Sequence, residues 1–470
     1  MKLIVHIVFF FVSTLSWSQA GISWLREEAP EDSVSKLSIE EHTSIKPAIR
    51  LSSWKHERNW SITPAADIAT RFNSDFEFKS ALGFAFEGKL HEKWYMRLLG
   101  LQGVGRSNDV LKPKSYFQSQ NSFGYNYSEI RGRVGFTPNE VFQFQAGLDH
   151  QFIGEGNRSL FLSDYGVPSP FGQIRTRFWR VEYTVLYQFF RERFNDHWKQ
   201  KNGATHHISL NATKWLNFGV FETVVFQPKD TLLNRGYEVE YLNPVIFYRP
   251  QEYALGSSDN VLLGLSMTAK WRKHVFYSQF ILDEFSLTEW RAKSGWWANK
   301  YGGQIGLKGR FENNKHYWFY RLEFNAVRPY TYAHLSSGQN YGNQGNTLAH
   351  PYGGNFMEIL AECKFNYQNW HVDVFAAFSL RGLDKNGISY GGDLYQPYTL
   401  RPFEYDHKIG QGQGVNMFHI FVRMHYPLFK KTELRAFIEN HLSYSTLSSR
   451  WQYNPVIGIR SFLWNDYRNH

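Results

Sequence analysis

One cysteine, Cys363, stands in 470 residues, so no disulfide can form within the chain. It falls among Met357, Ile359, Ala361 and Phe365, an apolar set at every second position, and reads as a small hydrophobe. Long apolar runs are missing as well: beyond residue 20 no window approaches the roughly 18 apolar residues a membrane helix needs. No linker, charge block or low-complexity tract divides the chain, which favours one large domain over two or three. Motifs for hydrolysis are absent too. There is no HExxH and no GxSxG, and the paired His206 and His207 would face opposite ways on a strand. The Gly154-Glu155-Gly156 and Gly410–Gly414 stretches precede strand patterns rather than helices, so they read as loop turns and not as phosphate cradles. The expectation is a protein that is not an enzyme and uses no cofactor or metal.

What is present is alternation. Aromatic residues make up 18% of the chain while its mean hydropathy is −0.47, a combination of many rings with overall polarity. A membrane barrel has this signature because half of every strand faces its lumen. Phe142, Phe144, Ala146 and Leu148 alternate with Gln143, Gln145, Gly147 and Asp149, and Val181, Tyr183, Val185, Tyr187 and Phe189 alternate with Glu182, Thr184 and Gln188. Such segments are separated in turn by short connections, near residues 91, 138, 179, 214, 273, 313, 368 and 429, and long ones. The long ones span about 55–75, 106–126, 153–173, 192–204, 228–258, 286–298, 329–354 and 382–413, with a brief one near Ser448. The reading is an all-β fold: a transmembrane antiparallel β-barrel of about 18 strands, with long outer loops and short periplasmic turns, counted with 45–54 as the first strand. Trp94, Trp179, Trp215, Trp271 and Trp370 sit beside the short turns, where a periplasmic aromatic girdle belongs. The same phase puts Arg131, Arg133, Arg175, Arg177, Glu182, Lys308, Arg310, Arg321, Glu323, Glu358, Glu362, Asp373, Arg423, Glu433, Arg435 and Glu439 on the lumen face, with both signs available to pair across strands. On this phase Phe324 faces lipid and should not tolerate Arg, whereas Asn325 faces the lumen and should.

Residues 1–20 read as a signal peptide: Lys2, an apolar run over 3–12, and small residues at Ser18 and Ala20. Residues 21–44 are charged and unpatterned, a periplasmic or barrel-plugging segment, and 45–470 form the barrel. This places the protein in the outer membrane by the general secretory route. The formal charge of +10 is scattered through alternating strands instead of gathered in a patch, which argues against nucleic acid and for anionic polysaccharide or lipopolysaccharide as partner.

The stretch GLDHQFIGEGNRSLFLSDYGVPSPFGQIRT (147–176) resembles the signature region of the Wzi-like capsule-assembly barrels, and more closely that of their relatives in gliding bacteria, the cell-surface motility proteins called RemB. Further segments resemble that family in order along the chain: 241–265, LDEF with GWWANKYGGQIGLK (282–308), VRPYTYAH (327–334), LAHPYGGNF (348–356) and IGQG (409–412). The first hundred residues carry no resemblance. What the likeness implies is a non-enzymatic barrel that attaches capsule or exopolysaccharide, or acts in gliding motility and adhesion, beside other cell-envelope motility or secretion proteins. Arg158, Asp164, Arg249, Glu252, Arg328, His334 and His350 lie in the loops richest in these motifs and are the candidate sugar-binding residues. The competing reading of those residues is structural, a folded cap whose polar groups satisfy one another. Asp283 and Glu284 point to opposite faces of a strand and suit a loop base better than an acid/base pair. Two other functional classes stay in view. A pore or transporter for small polar solutes needs an open lumen, whereas the charged lumen set and the inward Phe375, Phe421 and Phe437 suggest a filled one. A barrel lipid hydrolase needs an outward Ser–His pair, and none emerges from adjacent strands.

Cleavage is expected between Ala20 and Gly21. Mass spectrometry of protein purified from outer membranes should give a chain starting at Gly21; an intact leader, or recovery in the soluble periplasm, would refute the assignment.

Overall fold

The computed structural model describes residues 60–461 except 73–75, 92, 108–110, 112–113, 122–123, 195–196, 229–238, 243–258, 313–315 and 430–433. The signal peptide, the 21–44 segment, the strand expected at 45–54, Arg249, Glu252 and Glu433 lie outside the described residues.

Eighteen strands form the wall. They are β1 (Trp60–Phe72), β2 (Phe76–His91), β3 (Trp94–Arg106), β4 (Gly124–Phe136), β5 (Phe142–Asp149) and β6 (Ser169–Phe178). Then come β7 (Val181–Phe194), β8 (His197–Asn211), β9 (Leu216–Phe226), β10 (Asn260–Trp271), β11 (His274–Glu284) and β12 (Lys300–Glu312). The last six are β13 (His316–Val327), β14 (Phe356–Tyr367), β15 (Trp370–Leu383), β16 (Gln413–Pro427), β17 (Leu434–Ser445) and β18 (Arg450–Ser461). Each pairs antiparallel with the next, and β18 returns to β1 through Asp67↔Arg460 to Arg71↔Val456. Closure leaves no strand edge with unpaired amides facing hydrocarbon, the one arrangement of strands that a bilayer accepts.

Side chains follow the two-residue period. On β13, Leu322 (53% exposed) and Phe324 (39%) face outward, while Arg321, Glu323 and Asn325 are buried inside. Cys363 shares its face with the exposed Met357 and Ile359. All five tryptophans of the expected girdle are exposed beside the short turns. One outward sector is covered by the chain itself. Tyr241, from the short helix Val239–Leu242, packs on Ala204, Val224, Phe226 and Val261, and the Tyr187 hydroxyl donates to the Leu242 carbonyl at 2.6 Å. His206 lies on this outward side against the Tyr183 ring, while His207 lines a lumen cavity with Ser209 and Tyr277.

Three connections differ from expectation. Within the loop expected at 55–75, residues 60–72 form β1 instead; Pro64 and its neighbouring alanines weaken the alternation, and a proline ordinarily argues against a central strand. Nor is 192–204 a loop. β7 and β8 continue as a paired hairpin through Phe190↔Lys201 to Phe194↔His197, in sequence too polar on both faces to show a period once neither face meets lipid. Within 106–126 a short strand, Phe117–Asn121, pairs with the outer half of β4.

Asn325 also departs from expectation. It is wholly buried, bonding Gln304 Nε2 through its carbonyl at 2.8 Å and Glu323 Oε1 through its amide at 2.9 Å, so there is no lumen space at its tip. Phe324→Arg should cost roughly 2–4 kcal/mol, the price of a cation at the bilayer midplane. Asn325→Arg should also destabilise, through overpacking. Heat-modifiable gel mobility measures both. Normal folding of the Phe324 variant would overturn the face assignment, and normal folding of the Asn325 variant would mean that the lumen has room there.

Candidate functional site

The lumen is filled by the chain's own loop. The β5–β6 connection, 150–168, turns inward instead of projecting outward, for reasons visible in its sequence. Ile153, Leu160, Phe161 and Leu162 are too apolar to leave in water, and they join lumen-facing Phe171, Leu186, Phe221, Leu262 and Ile281 in one core. Phe161 stacks on Phe221 with centroids 4.6 Å apart, and the wall makes room for it with a glycine: a Cβ on Gly264 would come within 2.4 Å of the Phe161 ring. Gln279 of β11 clamps the loop twice, donating to the Ile153 carbonyl at 3.0 Å and accepting from the Leu160 amide at 2.8 Å.

The loop tip, Glu155–Arg158, inserts into the charged layer of the wall. Arg158 is 0% exposed and faces Glu358 of β14 at 3.3 Å. Its amide and that of Asn157 donate to Glu323 of β13, at 3.2 and 2.8 Å. Glu155 meets Lys308 of β12 at 2.6 Å. A side chain at Gly156 would press within 2.4 Å of a Glu323 oxygen, so the tip approaches the wall only because that residue is glycine. Buried charges in such a layer require partners, and here each of these has one.

Four of the expected sugar-binding residues fall into two pairs. Arg158 and His350 meet around one carboxylate: His350 Nε2 lies 2.9 Å from Glu358, its Nδ1 accepts from the Tyr352 amide at 3.2 Å, and its ring stacks on Phe356 at 4.1 Å. Both are sealed inside. Arg328 and His334 belong to the β13–β14 loop, 328–355, near its base. Arg328 donates to the carbonyls of Asn299 (2.7 Å) and Trp296 (3.3 Å), fixing the neighbouring β11–β12 loop, and His334 is buried against the Tyr398 ring. Asp164 is half-buried further along the inserted loop. Asp283 accepts from the Tyr332 amide at 2.9 Å and Glu284 pairs with Lys300 at 3.1 Å, loop-base roles for both. Tyr332 and Tyr341 tie the two loops together through their hydroxyls, donating to the carbonyls of Leu160 (2.8 Å) and Phe161 (2.7 Å).

Above this core the outer loops leave an open cavity of about 200 Å³. Tyr165 comes from the inserted loop, Tyr352 from the β13–β14 loop, Arg381 from the end of β15, and Asp384, Asp393 and Tyr395 from the β15–β16 loop, 384–412. None of these was singled out from sequence. Arg381 had a readable signal, since it continues the inward phase of Phe375, Ala377 and Ser379 to the end of its strand. Burial pushes the Tyr395 phenol up, so it stays protonated, and its hydroxyl donates to the Asn346 carbonyl at 3.1 Å. Among the described residues no three His, Cys, Asp or Glu side chains converge on a point that could hold a metal ion.

No protein-family model and no curated protein sequence matches the chain. Solved structures do. Wzi, an outer-membrane protein involved in group 1 capsule assembly in Escherichia coli and described as a carbohydrate-binding β-barrel, superposes with a TM-score of 0.58 at 14% identity, over 96% of this chain and 97% of that one. The fold is Wzi-like. Two others align less well: OccAB4 of Acinetobacter baumannii at 0.47 (9% identity, 88% of this chain, 99% of that one) and OprD of Pseudomonas aeruginosa at 0.45 (10%, 85% and 94%). At 14% identity the likeness to Wzi shows the fold alone, a closed antiparallel β-barrel, here of eighteen strands.

Burial holds His350 down to about 4, against the opposing pull of Glu358, and holds His334 down to about 3. Both are therefore neutral at pH 7. Because the folded values lie below the unfolded imidazole value of about 6.5, the unfolded chain takes up protons that the cap refuses. Their contribution to stability is complete above pH 6.5 and is lost as pH falls from there towards 4, on the order of 1.4 kcal/mol per unit for each buried ring. Protease susceptibility of the outer loops should thus rise between pH 7 and pH 5, with a smaller rise in His350→Gln. A rise towards alkaline pH instead, or an unchanged profile in the variant, would contradict the assignment.

Proposed function

We propose that this protein holds a surface polysaccharide at the outer membrane, binding it with its outer loops and transporting nothing through its lumen. The observation that carries the reading is the inserted loop. With Ile153–Leu162 packed in the outer half and Glu155–Arg158 ion-paired below, the interior is occupied by folded protein held by buried bonds. What remains for a ligand is the outer cavity, where phenol rings and charged side chains lie together as sugars require: flat apolar faces for C–H stacking beside polar groups for hydroxyls. The solved barrel of the same fold is described as carbohydrate-binding, which agrees with this reading. Attachment of capsule or exopolysaccharide is the direct expression of such a hold. Adhesion or gliding over a surface, the setting that the resemblance to RemB implies, would use the same grip on a polymer. Lipopolysaccharide around the barrel and other envelope proteins are its expected neighbours, reached through export by its own leader.

Deleting the gene should move surface polysaccharide from cells into the medium, and purified protein in planar bilayers should show no steady conductance. Retained polysaccharide together with a stable open channel would favour the pore reading and refute this one.

A further inference from the structure

Several arginines inside the barrel are matched to carboxylates. Arg133 faces Asp149, Arg158 faces Glu358, Arg175 and Arg177 share Glu182, Arg321 faces Glu362, and Arg460 faces Asp67. Arg381 breaks the pattern. It stands at the outer end of β15 on the lumen side and reaches the cavity beneath the outer loops. Among the described residues it forms no ion pair, and its side chain donates no hydrogen bond. What fixes it is the Tyr352 ring, whose centroid lies 4.3 Å from the guanidinium carbon.

Glu358 and Asp393 attract it from a distance, but neither acidic residue of the same cavity forms an ion pair with it. Asp384 Oδ1 accepts from the Tyr390 amide at 2.6 Å, and Asp393 Oδ1 accepts from the Tyr395 amide at 2.9 Å, each closing its own turn. A guanidinium stacked on a ring keeps its edge of N–H donors free in a fixed plane, an arrangement that suits a planar carboxylate through two parallel bonds. The cavity is about 200 Å³, room for about seven waters at roughly 30 Å³ each and on the scale of one sugar ring. Tyr165 and Tyr395 line it beside the arginine.

We propose that Arg381 reads a carboxylate on the ligand, and that the cavity takes a uronate unit of an acidic polysaccharide, its carboxylate on the guanidinium and its ring among the tyrosines. The assignment rests on the polysaccharide-holding reading and narrows it to acidic polymers. A neutral sugar would leave the N–H edge of the guanidinium without a carboxylate bonded to it, and a lysine at this position would keep the charge but lose the two-pronged match.

The test is calorimetric titration of the full mature chain in detergent with trigalacturonate, with the same trisaccharide after reduction of its carboxyl groups, and with glucose 6-phosphate. The native trisaccharide should bind at least tenfold tighter than the reduced one. Arg381→Gln should weaken trigalacturonate binding by a similar factor and leave the reduced probe unaffected, with Arg381→Lys falling between. Heat-modifiable mobility reports whether each variant folds. If the Gln variant does not, the Lys variant and the two wild-type titrations still decide. Equal binding of native and reduced probes, or a folded Arg381→Gln that binds like wild type, overturns the role of Arg381 while leaving polysaccharide holding in place. Preference for the phosphate overturns the carboxylate assignment. Binding of none of the probes overturns the inference, and the polysaccharide phenotype of the deletion strain then judges the broader reading separately.

Discussion

One buried carboxylate organises the interior. Glu358 is fully enclosed, and an ionised group in that position is tolerated only with partners that neutralise and hydrogen-bond it. It receives Arg158 from the inserted loop and His350 from the next long loop, so one group on the wall fixes where two loops end. Removing Arg158 would strand the carboxylate's charge and removing the neutral His350 would take a hydrogen bond from it, whereas the intact set adds little net stability over a well-packed apolar cluster. Its value lies in registration. The apolar part of the loop could slide along a greasy wall, but Arg158 facing Glu358, Glu155 facing Lys308 and the paired amides on Glu323 accept one seating only.

The outer cavity follows from that seating. Tyr165 belongs to the inserted loop, and Tyr352 sits two residues from His350, so the same carboxylate that anchors the loops beneath also sets the spacing of the rings above. Tyr330 and Tyr332 take positive φ, 66° and 74°, a conformation costly for bulky residues. Each is held by its hydroxyl, Tyr330 on the Ser389 carbonyl and Tyr332 on that of Leu160. The cap is thus a rigid surface built on a rigid interior, and a ligand meeting it finds side chains already placed.

Much of the wall was legible from the sequence because lipid imposes a two-residue period that sequence displays directly. Leu322 against Glu323, the outward Cys363 and the tryptophans beside the turns all follow from it. The period fails where lipid stops. β1 hides behind Pro64 and its alanines, and at the outer ends of β7 and β8 the inward face packs on polar groups of the β13–β14 loop, as Arg191 on Asn343, Glu192 on Gly345 and Lys201 on Asn340 do. The interior was legible only in part. A filled lumen follows from the charges on the strands, but nothing local says which loop fills it, since Arg158 and Glu358 are 200 residues apart in the chain. Arg158 and His350 stand out in sequence as polar residues of motif-rich loops, yet their partners are internal; Arg381 lies on the readable lumen phase, and only the cavity around it sets it apart from its neighbours.

The seam between β1 and β18 joins residues nearly four hundred positions apart, Asp67 to Arg460, so it forms late by any route that starts from local hairpins. Until the inserted loop is seated, Glu358, Glu323 and Lys308 face the lumen without the partners that the tip supplies, and they need water in their place. Where closure precedes that seating, the barrel is wet inside at first, and the entry of the loop tip is a drying step that exchanges this water for Arg158, Glu155 and the two amides.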